Sequence, residues 1–318
     1  MGDSQSHSQQ KPLLVIHSLP SYNSFFYDRL SPTFTLIDPI TSTDASSARA
    51  LLCVGLSPLG KKILDCLPSL ECVLISCVGV DHVDISECRR RGISVANVGD
   101  AFSDDVADCA VGLMLDVLRR ISLADRFVRA GSWPQLPQFP LGFRLRGKRV
   151  GIVGLGSIGS RVATRLISFG CNIAYNSRQK KPSVSLPYYA NVSELARGSD
   201  ILIICCSLTD QTHHMINKDV LAALGKEGVV INIGRGALIK ETELVQFLVE
   251  GKIGGAGLDV FEDEPNVPKE LFGLENVVLS SHRAVLTPES FNAAEDIMVA
   301  NLEAFFSNKP LLTPISLE

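Results

Sequence analysis

Three short apolar stretches of the sequence are followed by residues suited to catalysis: Arg235, the acidic run 262–264 and His282. An arginine can hold a carboxylate with paired N–H donors, and a histidine can give or take a proton near neutral pH. A carboxylate beside the histidine would favour its charged form. Ligands of parallel sheets bind beyond the carboxyl ends of the strands, so the three positions are candidates for one site. Taken singly, each also fits a simpler role: a surface arginine, an acidic loop or a hydrogen-bonded core histidine.

A glycine-rich segment joins the apolar stretch 150–153 to a helical pattern at 160–169. It consists of Gly154, Leu155, Gly156, Ser157, Ile158 and Gly159. In this setting Gly154 permits a tight turn, Gly156 lets the backbone approach a pyrophosphate, and Gly159 lets helix and strand pack closely. The N-terminus of the helix offers N–H groups and a positive dipole to phosphates. The segment therefore predicts a dinucleotide-binding site, with an ordinary glycine-rich turn as the alternative.

The residues after the next apolar stretch indicate which dinucleotide binds. An NAD site usually carries Asp or Glu about 20 residues beyond the glycines, where it bonds the ribose hydroxyls. Here the chain reads Asn176, Ser177, Arg178 and Gln179, followed by two lysines, with no carboxylate. Ser177 can hydrogen-bond, and Arg178 can pair with a 2′-phosphate in a fork geometry. The turn favours NADP(H), and a solvated basic turn is the alternative.

Short apolar stretches alternate with helical patterns along nearly the whole chain. This alternation predicts an α/β fold of parallel sheets covered by helices. The predicted strands are 13–17, 51–55, 73–75, 150–153, 172–175, 201–205, 229–233, 257–260 and 277–279. They are too many for one sheet of usual size, so we expect two domains, Rossmann-like and flavodoxin-like, each with a parallel sheet.

Two long helical stretches predict where the chain passes between these domains. The first runs from 102 to about 130, with Ser103 placed to cap its start and an apolar middle at 106–118. Such a helix is buried between layers or subunits. The second begins near 287 and leaves too few residues for a further domain. We therefore predict a substrate domain of 1–102 and 287–318, interrupted by a nucleotide-binding domain of 103–286.

Taken in order, these motifs resemble the D-isomer-specific 2-hydroxyacid dehydrogenase family. Besides the glycine loop, the family's patterns match 105–108, 232–236, 259–265 and His282. Within the family, the sequence is most similar to the plant NADPH-dependent hydroxypyruvate, glyoxylate and hydroxyphenylpyruvate reductases, whose branch the Ser177-Arg178 turn fits. The resemblance implies reduction of a small 2-oxo acid to the D-2-hydroxy acid, an NADP(H) cofactor and a homodimer.

The resemblance also implies a role for each candidate residue. Arg235 would bind the substrate carboxylate and polarise the adjacent carbonyl. His282 would give a proton to the developing alkoxide, and Glu264 would bond the other imidazole nitrogen. The backbone N–H groups of Val78 and Gly79 would bind the same carboxylate.

Further cofactor contacts follow from the same resemblance. Asp259 would hold the nicotinamide carboxamide, and Cys206, Ile233 and Gly234 would lie beside the cofactor. The sequence departs from the commonest family pattern around the histidine and at 206–209, without losing a catalytic group. Arg283 places a charge beside His282, which leaves the preferred 2-oxo acid open.

Composition excludes several other classes of protein. The chain has 318 residues, of which 46% are hydrophobic and 20% charged, so it can build a sizeable core. Its net charge of −4 argues against a nucleic-acid partner, because such binding rests on basic patches. No apolar stretch is long enough to predict a membrane span. The start of the chain, 1–10, is polar and lacks the features of a signal peptide.

Cysteine and histidine usage favours a reduced, metal-free protein. The nine cysteines contain no C-x-x-C pair, so we predict free thiols and a cytoplasmic location. The six histidines show no metal-ligand spacing, and His213-His214 is an adjacent pair typical of a loop or a helix cap. We predict no metal.

Two other functions stay open. Corepressors that sense dinucleotides share this fold and its triad, so the fold alone does not separate them from a reductase. The compact length and the turn at 176–178 argue against a corepressor. Formate or phosphite oxidation generally uses NAD, which fits the same turn poorly.

Overall fold

The computed structural model of the protein describes residues 11–18, 27–38, 42–136 and 138–316. Its contacts divide the chain into two units, Met1–Phe102 with Pro288–Glu318, and Ser103–Thr287. The second boundary falls one residue after the position predicted from the sequence. Residues 1–10, on which the prediction about a signal peptide rests, lie outside the described part.

The first unit contains a parallel five-stranded sheet. Its strands are β1 (Leu13–His17), β2 (Thr35–Ile37), β3 (Ala50–Cys53), β4 (Cys72–Ile75) and β5 (Ser94–Asn97). They lie in the order β2-β1-β3-β4-β5, which is the flavodoxin-like order. Helices α1 (Tyr27–Leu30), α2 (Lys61–Leu64) and α3 (Ile85–Arg91) connect them, with a 3₁₀ turn at Thr43–Ser47.

The central strands of this sheet are fully buried. Leu14, Leu51, Leu52 and Val73 have no exposed surface. Strands covered on both faces have no polar side to present, which is why they read as unbroken apolar stretches in the sequence.

The second unit contains a parallel seven-stranded sheet. Its strands are β6 (Arg149–Val153), β7 (Asn172–Asn176), β8 (Tyr188–Tyr189), β9 (Ile201–Ile204), β10 (Val229–Asn232), β11 (Gly255–Leu258) and β12 (Val277–Leu279). The order is β8-β7-β6-β9-β10-β11-β12, a Rossmann order with one strand added. The strand order reverses between β6 and β9, where such sheets bind their ligands. The two parallel sheets confirm the predicted α/β fold.

Seven helices complete the described part of the chain. They are α4 (Ser103–Arg119), α5 (Ile121–Arg129), α6 (Ser157–Ser168), α7 (Val192–Arg197), α8 (Lys218–Leu224), α9 (Glu241–Val249) and, in the first unit, α10 (Pro288–Phe306). Two 3₁₀ turns lie at Gly236–Leu238 and Lys269–Leu271. None of the helices built from described residues is long and apolar enough to cross a membrane.

The long helix predicted over 102–130 is two helices. Arg120 adopts a left-handed conformation, with φ 55° and ψ 40°, and so ends the right-handed helix α4. Asp116 accepts a hydrogen bond from the N–H of Ser122 at 2.7 Å, which supports the start of α5. Ser103, predicted as a cap, is the first residue of α4 and is buried. The apolar side of α4 packs against β11 of its own unit.

Two loops at the carboxyl edge of the second sheet touch backbone to backbone. A Cβ atom added at Gly236 would lie 1.8 Å from the carbonyl carbon of Phe261. A Cβ added at Gly234 would lie 2.8 Å from Cδ1 of Leu238. The loop after β10 therefore requires glycine at 236, where a Cβ would meet backbone, whereas at 234 the nearest atom is the end of a side chain.

Replacing Gly236 should destabilise the second unit. We expect Gly236→Ala to lower the free energy of unfolding by about 1–3 kcal/mol or more, because the methyl group forces two backbones apart. Urea denaturation followed by circular dichroism would measure the change.

Gly273→Ala is the matched control, because a Cβ there meets nothing within 4 Å. It should unfold like the unsubstituted protein. Equal unfolding energies for the two variants would contradict the close approach of the loops.

Candidate active site

The three candidate catalytic residues follow neighbouring strands of the second sheet. Arg235 comes after β10, Glu264 after β11 and His282 after β12. Nδ1 of His282 lies 2.8 Å from Oε2 of Glu264. Because an ionised carboxylate can only accept hydrogen bonds, Nδ1 carries the proton of this bond. Nε2 is then the nitrogen that can exchange a proton with a ligand.

Glu264 is held as an anion. Its Oε1 accepts a hydrogen bond from the N–H of Phe261 at 3.0 Å. Burial raises the pKa of Glu264, but the hydrogen bonds from His282 and Phe261, with the charges of His282 and Arg235, outweigh it and lower the pKa. The carboxylate therefore stays charged until the pH falls below the range in which a glutamate ordinarily protonates.

The backbone around Arg235 is fixed by Asn232, whose side chain is buried. Nδ2 of Asn232 donates to the carbonyl oxygen of Arg235 at 2.9 Å, and Oδ1 accepts from the N–H of Gly234 at 3.1 Å. Nη1 of Arg235 donates to the carbonyl oxygen of Gly234 at 2.9 Å. The guanidinium is half-buried and lies close enough to Glu264 to act on its charge.

Asp259 holds the turn that carries His282. The carboxylate of Asp259 is 1% exposed. It accepts the N–H groups of Arg283 and Ala284 at 2.9 and 3.1 Å, while the Asp259 carbonyl oxygen accepts the N–H of His282 at 2.7 Å. His282 is thereby kept in a left-handed conformation, with φ 53°. Sequence reasoning missed this role, and the predicted contact of Asp259 with a carboxamide stays a prediction.

The glycine loop has the shape that a pyrophosphate requires. Gly154 has φ +94°, and a Cβ there would lie 2.6 Å from the backbone nitrogen of Cys206. A Cβ at Gly159 would lie 2.1 Å from the carbonyl oxygen of Gly154. A Cβ at Gly156 meets nothing within 4 Å, so open space lies before the start of α6. No side chain caps this helix, which leaves its first N–H groups for a phosphate.

Arg161 adds a positive charge at the same helix end. Its Nη1 donates to Oγ of Ser157 at 2.5 Å, and its Nε donates to Asp104 at 2.9 Å. Leu155 packs into the interior, with 2% of its surface exposed. Sequence reasoning did not single out Arg161, because it lies beyond the glycine motif.

The predicted 2′-phosphate residues form a turn after β7. Oγ of Ser177 donates to the carbonyl oxygen of Gln179 at 2.6 Å, and the side chain of Arg178 is exposed. The N–H of Gly154 donates to the carbonyl oxygen of Asn176 at 2.9 Å, which joins this turn to the glycine loop. Both segments therefore lie at one edge of the sheet.

The other predicted cofactor residues lie along that edge. Cys206 follows β9, and Ile233 and Gly234 follow β10. A Cβ at Gly234 would lie 3.1 Å from the carbonyl oxygen of Cys206, so these two loops abut. Together the loops after β6, β7, β9 and β10 fit a dinucleotide.

Val78 and Gly79 belong to the first unit, in the loop after β4. The carbonyl oxygen of Val78 accepts Nδ2 of Asn97 at 2.8 Å. Among the described residues, no hydrogen-bond acceptor is found for the N–H of Val78 or of Gly79. Their binding of a carboxylate stays a prediction.

Known proteins resemble the chain over nearly all of its length. Residues 111–284 match the family described as D-isomer specific 2-hydroxyacid dehydrogenase, NAD binding domain. A glyoxylate/hydroxypyruvate reductase of Arabidopsis thaliana is 54% identical over 98% of this chain and 100% of its own length. The hydroxyphenylpyruvate reductase of Plectranthus scutellarioides is 53% identical over 85% of this chain and 86% of its own length.

A solved structure agrees with these relatives. The NADPH-dependent glyoxylate/hydroxypyruvate reductase of Sinorhizobium meliloti, crystallised with NADP and malonate, is 38% identical. The match covers 97% of this chain and 98% of that one, with a TM-score of 0.91. The resemblance inferred from the motifs is thus confirmed, and the chain belongs to the D-isomer specific 2-hydroxyacid dehydrogenase family.

Proposed function

We propose that this protein reduces a small 2-oxo acid to the D-2-hydroxy acid with NADPH. The observation that carries the proposal is the hydrogen bond of 2.8 Å between His282 and Glu264, formed in the unit that holds the glycine loop and Arg235. The relatives named as reductases of glyoxylate, hydroxypyruvate and hydroxyphenylpyruvate support it.

Arg235 binds and orients the substrate. Its guanidinium pairs with the substrate carboxylate, which fixes the neighbouring carbonyl and stabilises the charge that develops on its oxygen. We further propose that the N–H groups of Val78 and Gly79, in the first unit, bind a carboxylate. When bound, the cofactor supplies the hydride.

His282 supplies the proton. Nε2 of the imidazolium donates to the carbonyl oxygen of the substrate as that oxygen becomes an alkoxide. The anionic Glu264 accepts the bond from Nδ1, which keeps the ring oriented.

The structure offers no observation that favours a dinucleotide-sensing corepressor. The relatives that are 53–54% identical to this chain are named as reductases. We further propose a cytoplasmic location, which the nine free cysteines support because a reducing compartment keeps thiols free.

Removing the proton donor should abolish turnover while leaving the cofactor site intact. We expect His282→Gln to lower kcat by about 100-fold or more with glyoxylate, hydroxypyruvate or 4-hydroxyphenylpyruvate. The loss of NADPH absorbance would measure turnover, and NADPH fluorescence would measure the Kd of the cofactor. An unchanged kcat would refute the role of His282, whereas a large change in Kd would point to a damaged fold.

Arg178 should decide between NADPH and NADH. Only NADPH carries the 2′-phosphate, so Arg178→Ala should weaken NADPH binding by about 10- to 100-fold, as expected for a lost charged hydrogen bond. The Kd of NADH should stay the same. Arg197→Ala, another exposed arginine of this unit, is the control for surface charge. Equal effects of Arg178→Ala on both cofactors would contradict the assignment.

We also propose that the protein is a homodimer. Helix α5 buries none of its residues within the chain, and several apolar side chains of α5 and the following segment are exposed. They are Ile121, Val128, Trp133, Leu136, Leu141 and Phe143. A second copy of the chain would cover this surface, since exposed apolar patches mark interaction sites.

Sedimentation should give the mass of a dimer at micromolar concentration. Val128→Asp should shift the protein towards the monomer, because it places a charge on the apolar surface. Val249→Asp, at an exposed apolar position on α9, is the control and should leave the mass unchanged. A monomeric unsubstituted protein would overturn the proposal.

A further inference from the structure

Three metal-ligating side chains meet in the second unit, beside the proposed catalytic residues. The ligand atoms of His213, His214 and Glu262 all lie within 4.8 Å of one another. The two histidines belong to the segment between β9 and α8, and Glu262 follows β11. None of the three has a role in the proposed reduction.

The two loops hold these side chains against each other. Nε2 of His214 lies 2.6 Å from Oε1 of Glu262, and the rings of His213 and His214 stack with centroids 3.8 Å apart. The N–H of His213 donates to Thr209 at 2.9 Å, and that of His214 donates to Ala237 at 2.8 Å. The backbone at both histidines is therefore held in place.

Glu262 is fixed in the same way by the start of α9. Its Oε2 accepts the N–H of Glu241 at 3.3 Å, and its own N–H donates to Oε2 of Glu241 at 3.1 Å. A ligating carboxylate is commonly oriented by such an outer hydrogen bond.

The surroundings of the cluster are negative. Asp263 and Glu264 follow Glu262 directly in the chain, and Glu241 is hydrogen-bonded to it. Glu241 thus lies against the acidic run 262–264, and the field of these four carboxylic residues attracts a cation.

The donor set selects the kind of cation. Ca²⁺ and Mg²⁺ take oxygen ligands, whereas two imidazole nitrogens with one carboxylate oxygen suit Zn²⁺ and similar ions. Such three-ligand sites leave a fourth position for water. The hydrogen bond between His214 and Glu262 accounts for the placement of those two side chains. It does not account for the imidazole of His213, which stacks on that of His214.

We propose that His213, His214 and Glu262 form a binding site for one divalent transition-metal ion of the Zn²⁺ class. The ion takes the place of the hydrogen bond between His214 and Glu262. Zinc bonds of about 2.0–2.2 Å to nitrogen and oxygen require the three donor atoms to draw closer together, which rotation of the exposed His213 side chain allows.

Binding of Co²⁺ and Zn²⁺ to the full chain, stripped of metal by a chelator, would test the proposal. We expect one equivalent of Co²⁺ to bind with micromolar affinity and to give visible d–d bands without the near-ultraviolet thiolate band. This distinction matters because the chain has nine cysteines that can also bind metal. Zn²⁺ should displace the Co²⁺, as calorimetry would show.

The variants His213→Ala, His214→Ala and Glu262→Gln should each weaken binding at least about tenfold. His17→Gln, a histidine of the first unit, is the matched control and should bind like the unsubstituted protein. Circular dichroism would verify that each variant is folded, and the exposed position of His213 makes its variant the safest test.

Three results would overturn the proposal. These are a thiolate-type spectrum, an affinity that the His213 variant leaves unchanged, and binding only at millimolar concentration, which would mean an adventitious cation only. The readout is metal binding, so the outcome does not depend on the reductase activity.

Discussion

The close approach of two backbones at the carboxyl edge of the second sheet is the constraint on which the site depends. Strands β10 and β11 pair in parallel, with Asn232 opposite Leu258, so the loops after them leave the sheet side by side. Gly236 lets the first loop lie directly on the carbonyl group of Phe261. The N–H of Phe261 in turn donates to Glu264. A side chain at 236 would therefore push the loop that carries Arg235 away from the loop that carries Glu264.

Asp259 extends this arrangement to the third strand. Its carboxylate and its carbonyl oxygen receive three successive N–H groups, from His282, Arg283 and Ala284. Replacing this buried carboxylate would lower the stability of the fold, because the N–H groups of Arg283 and Ala284 would be left without an acceptor. The backbone position of His282 thus depends on Asp259.

The sequence predicted most elements because buried parallel strands are apolar throughout, and the strand β12 was predicted with the bounds that the structure has. It did not reveal β2, β5 and β8, which are short or carry polar residues. Strand β11 begins at Gly255, two residues before the predicted start at 257. Glycines are typical of turns, so the sequence did not indicate this start. Here they serve packing: a Cβ at Gly255 would lie 3.0 Å from Val117 of α4. The break between α4 and α5 at Arg120 could not be predicted either, because an arginine gives no sequence signal for the left-handed conformation that it adopts here.

Residues of the candidate site could be predicted where a polar side chain directly follows an apolar stretch, as at Arg235 and His282. It was not predictable where the contact joins distant segments. The hydrogen bond between His214 and Glu262 spans 48 residues, and the adjacent histidines alone gave no metal-ligand spacing. The roles of Asp259 and Arg161 are likewise set by neighbours that only the fold brings near.

Glu264, in the acidic segment 262–264, and Glu241, at the start of α9, are neighbouring carboxylates of two different kinds. Glu264 has its pKa lowered because hydrogen bonds from His282 and Phe261 outweigh burial. Glu241, which faces the same segment, has its pKa raised because burial and the surrounding negative charges outweigh its one bond to Glu262. Groups whose environments push their pKa values apart take different roles in a site. The stable anion is Glu264, the carboxylate beside His282.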